Sequence, residues 1–142
     1  VNEENYVQQE ERMAEKTPSE NEWIIMEILW NQDTNLTAAE IIQKLKGIKD
    51  VSPKTIRVLI NRLLKKGIID YQVDAKDSRI YHYFPVKSKE TCLAEKSEQF
   101  LNSYFGGNPM GMVATLVRHE HLSQEERNEL IQILKEGQSK DS

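Results

Sequence analysis

Between Val51 and Gly67 the chain reads VSPKTIRVLINRLLKKG, and its side chains could grip a polyanion. At helical spacing, Lys54, Val58, Asn61 and Lys65 share one face, Arg57 and Arg62 flank it, and Thr55 follows Lys54. No acid falls in this stretch. A solvated helix ordinarily mixes signs, because Glu–Lys pairs three or four residues apart stabilise it. A face of one sign gives that support up. Arg and Asn can offer paired hydrogen bonds to base edges, and Lys can neutralise phosphate. The bland alternative is a solvent face that happens to be basic.

The element that must present these side chains has both ends marked. Ser52 can cap the helix, Pro53 suits its first position, and Gly67 suits the left-handed residue after its end. Lys65 and Lys66 complement the negative end of the helix dipole. Ile56, Leu59, Ile60 and Leu63 form the apolar stripe that would anchor it.

Two helices are expected upstream. Ser19-Glu20-Asn21-Glu22 and Thr37-Ala38-Ala39-Glu40 have capping-box spacing. The first opens a helix with Trp23, Met26 and Trp30 on one face, broadened by Ile24, Ile28 and Leu29. The second opens one carrying Ile41, Ile42 and Leu45 that stops near Gly47. Two short helices before a cationic one is the order of a helix-turn-helix. After Gly67 the period changes. Ile68–Val73 and Ile80–Phe84 read as strands around the polar turn Asp74–Arg79, with Pro85 ending the second. Such a hairpin after a recognition helix is the wing of a winged helix, with Lys76 and Arg79 at its tip. Tyr81, His82 and Tyr83 alternate across the second strand; the tyrosines could stack on bases, but packing against the helices is the simpler role.

Composition agrees with a local anion site. The 142 residues carry a net charge of −4, which speaks against indiscriminate nucleic-acid binding. Residues 52–85 nevertheless hold seven bases and three acids, a basic block in an acidic chain. The single cysteine, Cys92, permits no intrachain disulfide. No apolar run approaches a membrane span and no signal peptide is evident, so a cytoplasmic location without membrane contact is expected. There is no phosphate-cradling glycine loop. His119 and His121, two apart on a helix, point in different directions. Neither an enzyme nor a metal or other cofactor is expected.

The remaining stretch reads as three helices: Ser88 to about Phe105, ended by Gly106-Gly107; one begun by Asn108-Pro109; and one capped by Ser123-Gln124-Glu125-Glu126 and ended before Gly137. Leu101, Phe105, Met112, Val113, Leu116, Leu130 and Leu134 give them apolar faces. So few residues cannot bury that surface alone. A second copy of the chain would cover it, with an isolated mini-bundle as the alternative. The expected organisation is an unordered tail (1–16), a winged-helix DNA-binding domain (17–85), a helical dimerisation domain (86–137) and a short C-terminal tail (138–142). The fold class is mainly α with a small β-hairpin wing.

The chain resembles the penicillinase-repressor family, which includes methicillin-resistance and copper-responsive repressors. The resemblance runs from Pro18 to Glu136. It is carried by Asn21–Trp30 (NEWIIMEILW), Ser52–Arg57 (SPKTIR), Arg62–Gly67 (RLLKKG), Tyr104-Phe105-Gly106-Gly107 and Leu122-Ser123. It implies a dimeric transcriptional repressor acting on an inverted-repeat operator of β-lactam-resistance or copper-homeostasis type genes. It also implies that Lys54, Thr55 and Arg57 lie where the recognition helix meets the operator. The candidate DNA contacts are therefore Ser52, Lys54, Thr55, Arg57, Val58, Asn61, Arg62, Lys65, Lys76 and Arg79. The competing reading is a winged helix used for protein interaction without DNA, against which the acid-free helix speaks.

Two departures concern induction. Antibiotic-responsive members of the family are cut at an Asn–Phe bond, and here the matching positions are Thr115 and Leu116. Copper-responsive members carry paired C-terminal cysteines, and here Lys135–Ser142 contains none, while Cys92 alone cannot build a thiolate copper site. Neither route of relief is expected.

Overall fold

The computed structural model of the chain describes residues 3–5 and 16–140, without the side chains of 138–140. Most of the expected N-terminal tail, residues 1–16, lies outside the described residues. Where it is described, at residues 3–5 and Lys16, it is helical, which polarity alone does not forbid because Glu is a good helix former. The elements that follow are α1 (Glu20–Trp30), α2 (Ala38–Leu45), α3 (Pro53–Lys65), β1 (Ile69–Val73), β2 (Tyr81–Pro85), α4 (Lys89–Phe105), α5 (Pro109–His119) and α6 (Gln124–Lys140). The order is that of a winged helix followed by further helices.

Local chemistry sets most of these boundaries. In α1 the Ser19 hydroxyl accepts from the Glu22 N–H at 3.2 Å, and the Glu22 carboxylate accepts from the Ser19 N–H at 3.2 Å. Thr37 and Glu40 do the same for α2, at 3.2 and 3.0 Å, and Ser123 and Glu126 for α6, at 3.1 and 2.9 Å. Each box satisfies two backbone donors that the first turn leaves unpaired. The Ser52 hydroxyl accepts from the Thr55 N–H at 3.2 Å, and Pro53 occupies the first turn of α3. Gly67, at φ 74, adopts the left-handed turn that lets the chain leave α3 for β1.

The strands form an antiparallel hairpin in which Tyr71 faces Tyr83 and Val73 faces Tyr81. Leu36, between α1 and α2 in sequence, adds an unexpected bridge to it. Its N–H donates to Tyr83 O at 3.0 Å and Tyr83 N–H donates to Leu36 O at 2.7 Å. The hairpin is thereby sewn to the helices beneath it.

Two compact units result, the first ending at Gln99 and the second starting at Phe100. In the first, Ile56, Leu59, Ile60 and Leu63 of α3 are buried against Ile25, Met26 and Leu29 of α1 and Ile41 and Leu45 of α2. Trp23 and Trp30 are only partly buried. Their rings meet edge to face at 5.2 Å at the margin of this core, leaving its centre to Ile25. An indole N–H needs a partner: Trp23 Nε1 donates to Glu27 Oε1 at 3.1 Å and Trp30 Nε1 to Lys87 O at 2.9 Å. The first unit runs past Pro85 because the start of α4 packs onto it. Cys92 is fully buried there, and Lys89 bonds Glu27 at 3.1 Å.

In the second unit, Gly106 (φ 56) and Gly107 (φ 79) turn the chain out of α4, and the Gly107 N–H donates to Leu101 O at 3.2 Å. Phe100 packs on Tyr104 and Phe105, with centroids 4.9 and 6.0 Å away. None of the described residues from Phe100 to Gly137 is buried. The expected stop at Gly137 does not occur, and residues 138–140 are helical. An exposed glycine inside a helix costs only about 1 kcal/mol, and here the ladder continues through it.

Candidate nucleic-acid interface

The ends of α3 fix its orientation and its apolar stripe fixes its rotation. With Ile56, Leu59, Ile60 and Leu63 held inside, Lys54, Thr55, Arg57, Val58, Asn61, Arg62 and Lys65 all stand exposed. The structure thus brings seven of the expected side chains onto one helix surface. Ser52 is exposed beside them, but its hydroxyl is engaged with the Thr55 N–H and, at 2.9 Å, with the Thr55 hydroxyl. Its observed work is to hold the first turn.

The other end of α3 is tied inward. Lys66 Nζ lies between both oxygens of Glu22, one of them at 3.0 Å, and donates to Thr17 O at 3.2 Å. Glu22 is almost completely buried. One glutamate therefore caps α1 and anchors the C-terminus of α3. Lys96 of α4 joins the cluster, donating to Thr17 Oγ1 at 3.1 Å. Burial, reinforced by the neighbouring Lys66, pushes the Lys96 ammonium below the usual lysine range.

At the hairpin turn the picture is less basic than the spacing implied. Asp74 Oδ2 accepts from the N–H groups of Lys76 and Asp77 at 3.0 Å each, and Asp74 Oδ1 lies 2.7 Å from His82 Nε2. The His82 contact and then these backbone bonds hold the Asp74 carboxyl below the usual range. Asp77 is lowered likewise by the Arg79 side chain, whose Nε and Nη2 donate to its two oxygens at 3.0 and 3.1 Å. The Arg79 side chain is still 88% exposed. Lys76 and Arg79 do stand at the tip, accompanied by as many acids.

Three tyrosines share one face of the hairpin. Tyr83 is buried, and its burial raises the phenol above the usual range, while the charge of the nearby Arg57 opposes the rise. Tyr71 and Tyr81 are exposed and stacked at 4.1 Å. The alternation of Tyr71 with Val73 and Tyr81 with Tyr83 was the available signal for this shared face. The site expectation omitted Tyr71 altogether.

The expected dimer contacts fall in the second unit. Val113, Leu116 and Leu134 are 41%, 58% and 59% exposed, and Leu101, Phe105, Met112 and Leu130 are half-buried. Among the described residues, no group of three or more His, Cys, Asp or Glu could hold a metal, and no helix is long and apolar enough to cross a membrane. Burial pushes the Cys92 thiol above its ordinary range, as befits a packed residue and not a nucleophile.

Comparison with known proteins gives the relatives of the whole chain. The family model described as Penicillinase repressor matches residues 18–136. The methicillin resistance regulatory protein MecI of Staphylococcus aureus (strain N315) is 39% identical over 116 residues, covering 82% of this chain and 91% of that protein. The penicillinase repressor of Bacillus licheniformis is 33% identical over 122 residues, covering 86% and 92%. The solution structure of the DNA-binding domain of the repressor BlaI, 29% identical, covers 52% of this chain and 88% of that one, with a TM-score of 0.45.

Proposed function

We propose that this chain, which belongs to the penicillinase repressor family and is a DNA-binding transcriptional repressor, acts as a homodimer on an inverted-repeat operator. The observation that carries the reading is the exposed, acid-free surface of α3, held by caps at one end and the Glu22–Lys66 pair at the other. In this reading Lys54, Thr55, Arg57, Val58 and Asn61 enter a major groove. Arg62 and Lys65 meet phosphate beside it, and Ser52 keeps the leading turn in shape. Lys76 and Arg79 reach the backbone from the hairpin. Residues 17–85, braced by the start of α4, do the reading. The helices of 86–137 pair two copies so that two recognition helices meet two half-sites.

The dimer is supported by the second unit, whose apolar faces are exposed in a single copy. The names of the relatives make cell-wall-antibiotic resistance genes the first class of target to examine. The cytoplasm is the compartment where such a protein would meet its operator. The test is to select duplexes from a random-sequence pool with the full-length protein and titrate the winners against salt. Phosphate contacts predict a log–log slope of roughly −0.9 per phosphate neutralised, and the winners should share an inverted repeat. Failure to enrich any sequence would leave the protein without the proposed function.

A further inference from the structure

The face of the hairpin that begins at the buried Tyr83, near Arg57, ends in two exposed phenols. Tyr71 and Tyr81 lie 6.3 and 6.4 Å from Tyr83, centroid to centroid, and 4.1 Å from each other at 19° between planes. They are 37% and 36% exposed, and among the described residues neither hydroxyl has a hydrogen-bond partner. The same hairpin face thus carries a buried tyrosine that feels the charge of Arg57 on α3 and, beside it, a stacked pair of exposed donors.

We infer that the Tyr71–Tyr81 pair is a second, uncharged clamp on the sugar-phosphate backbone, its two hydroxyls donating to phosphate oxygens flanking the half-site read by α3. The inference rests on the DNA-binding reading and adds to it residues that a search for basic groups passes over. Three observations favour the backbone over the bases. The rings already stack on one another, so inserting a base would have to part them. The stack holds both hydroxyls in place before DNA arrives, which lowers the ordering needed on binding. The hairpin tip, where Asp74 and Asp77 accompany Lys76 and Arg79, offers little net charge of its own, so neutral donors have a contact to supply there.

The test uses the full-length protein, a duplex that it selects from a random pool, and an unselected duplex of equal length. The Tyr71→Phe, Tyr81→Phe double variant keeps both rings and removes both hydroxyls. Affinity should fall about 10-fold or more on both duplexes, as expected for lost hydrogen bonds to a charged acceptor. The salt slope should stay unchanged, because no cation is removed. Phosphates whose ethylation blocks the wild-type protein should stop mattering to the variant, a readout independent of any change in folding stability. Unchanged affinity with an unchanged interference map overturns the clamp while leaving DNA binding intact. A loss confined to the selected duplex overturns it in favour of base readout. If the wild-type protein selects no duplex, the DNA-binding reading and the clamp fall together.

Discussion

Arg57 stands on the exposed side of α3, one residue from the buried Ile56, and its charge is felt by Tyr83 on the neighbouring hairpin. A bidentate contact from such a residue to a base discriminates by roughly 1–3 kcal/mol, whereas a phosphate contact does not discriminate. Arg57→Ala should therefore weaken binding to a selected duplex far more than to a random one, in paired titrations at one salt concentration. Equal losses would make Arg57 a backbone contact. Glu22 makes a different claim, about stability. Removing one partner of a buried ion pair strands the other, and with Lys66 mostly buried beside Glu22 the Glu22→Ala change should cost about 3 kcal/mol in denaturant unfolding. Replacing both, as Glu22→Leu with Lys66→Met, should cost much less, since no charge is then left without a partner. A double variant as unstable as the single one would show that the stranded charge does not carry the energy, and would assign it to what both variants lose, the pair and the cap that Glu22 gives Ser19.

At the scale of elements, the pieces legible in the sequence were those written in local spacing. Each capping box places its two partners three residues apart, so Ser19, Thr37 and Ser123 announce their helices without reference to anything distant. The rotation of α3 was legible for the same reason, because Ile56, Leu59, Ile60 and Leu63 fix which side faces out. What escaped depends on partners far along the chain: the Leu36–Tyr83 bridge, the full burial of Ile25 with the tryptophans packed at the margin of the core, and the second role of Glu22 with Lys66. The turn of the hairpin shows how charge alone misleads. Its bases were visible in the sequence, but whether Asp77 would engage Arg79 depends on turn geometry. That ion pair is exposed and worth little, so phosphate can compete for Arg79. Replacing Lys76 and Arg79 together by Ala should then flatten the salt slope by about 2 units and weaken all duplexes alike. Asp77→Ala should tighten binding by freeing the guanidinium. A slope that falls by only one unit would mean that Arg79 stays with Asp77 on DNA.

At the scale of the whole molecule, the two units differ in what they can do alone. The first buries a contiguous set of aliphatic side chains from α1, α2 and α3, extended by the hairpin and Cys92. The second buries none of its described residues from Phe100 to Gly137, yet displays Leu116, Ile133 and Leu134 with more than half of their surface open. A fully covered Leu or Ile contributes about 1.5–3 kcal/mol, so these side chains represent a strong drive toward a partner surface. A two-fold pairing uses the same patch twice and covers both copies at once. Placing a charge in that patch should undo it: Leu116→Glu, on a helix position 58% exposed where the single chain has little packing to lose, should leave each copy folded. Sedimentation at micromolar concentration should show a dimer for the natural sequence and a monomer for the variant. Binding to a single half-site should survive, while binding to the full inverted repeat should fall by roughly 100-fold or more, because the second half-site is no longer delivered at high effective concentration. A natural-sequence protein that sediments as a monomer would remove the dimer from the proposal, and a Leu116→Glu dimer of full affinity would move its interface away from α5.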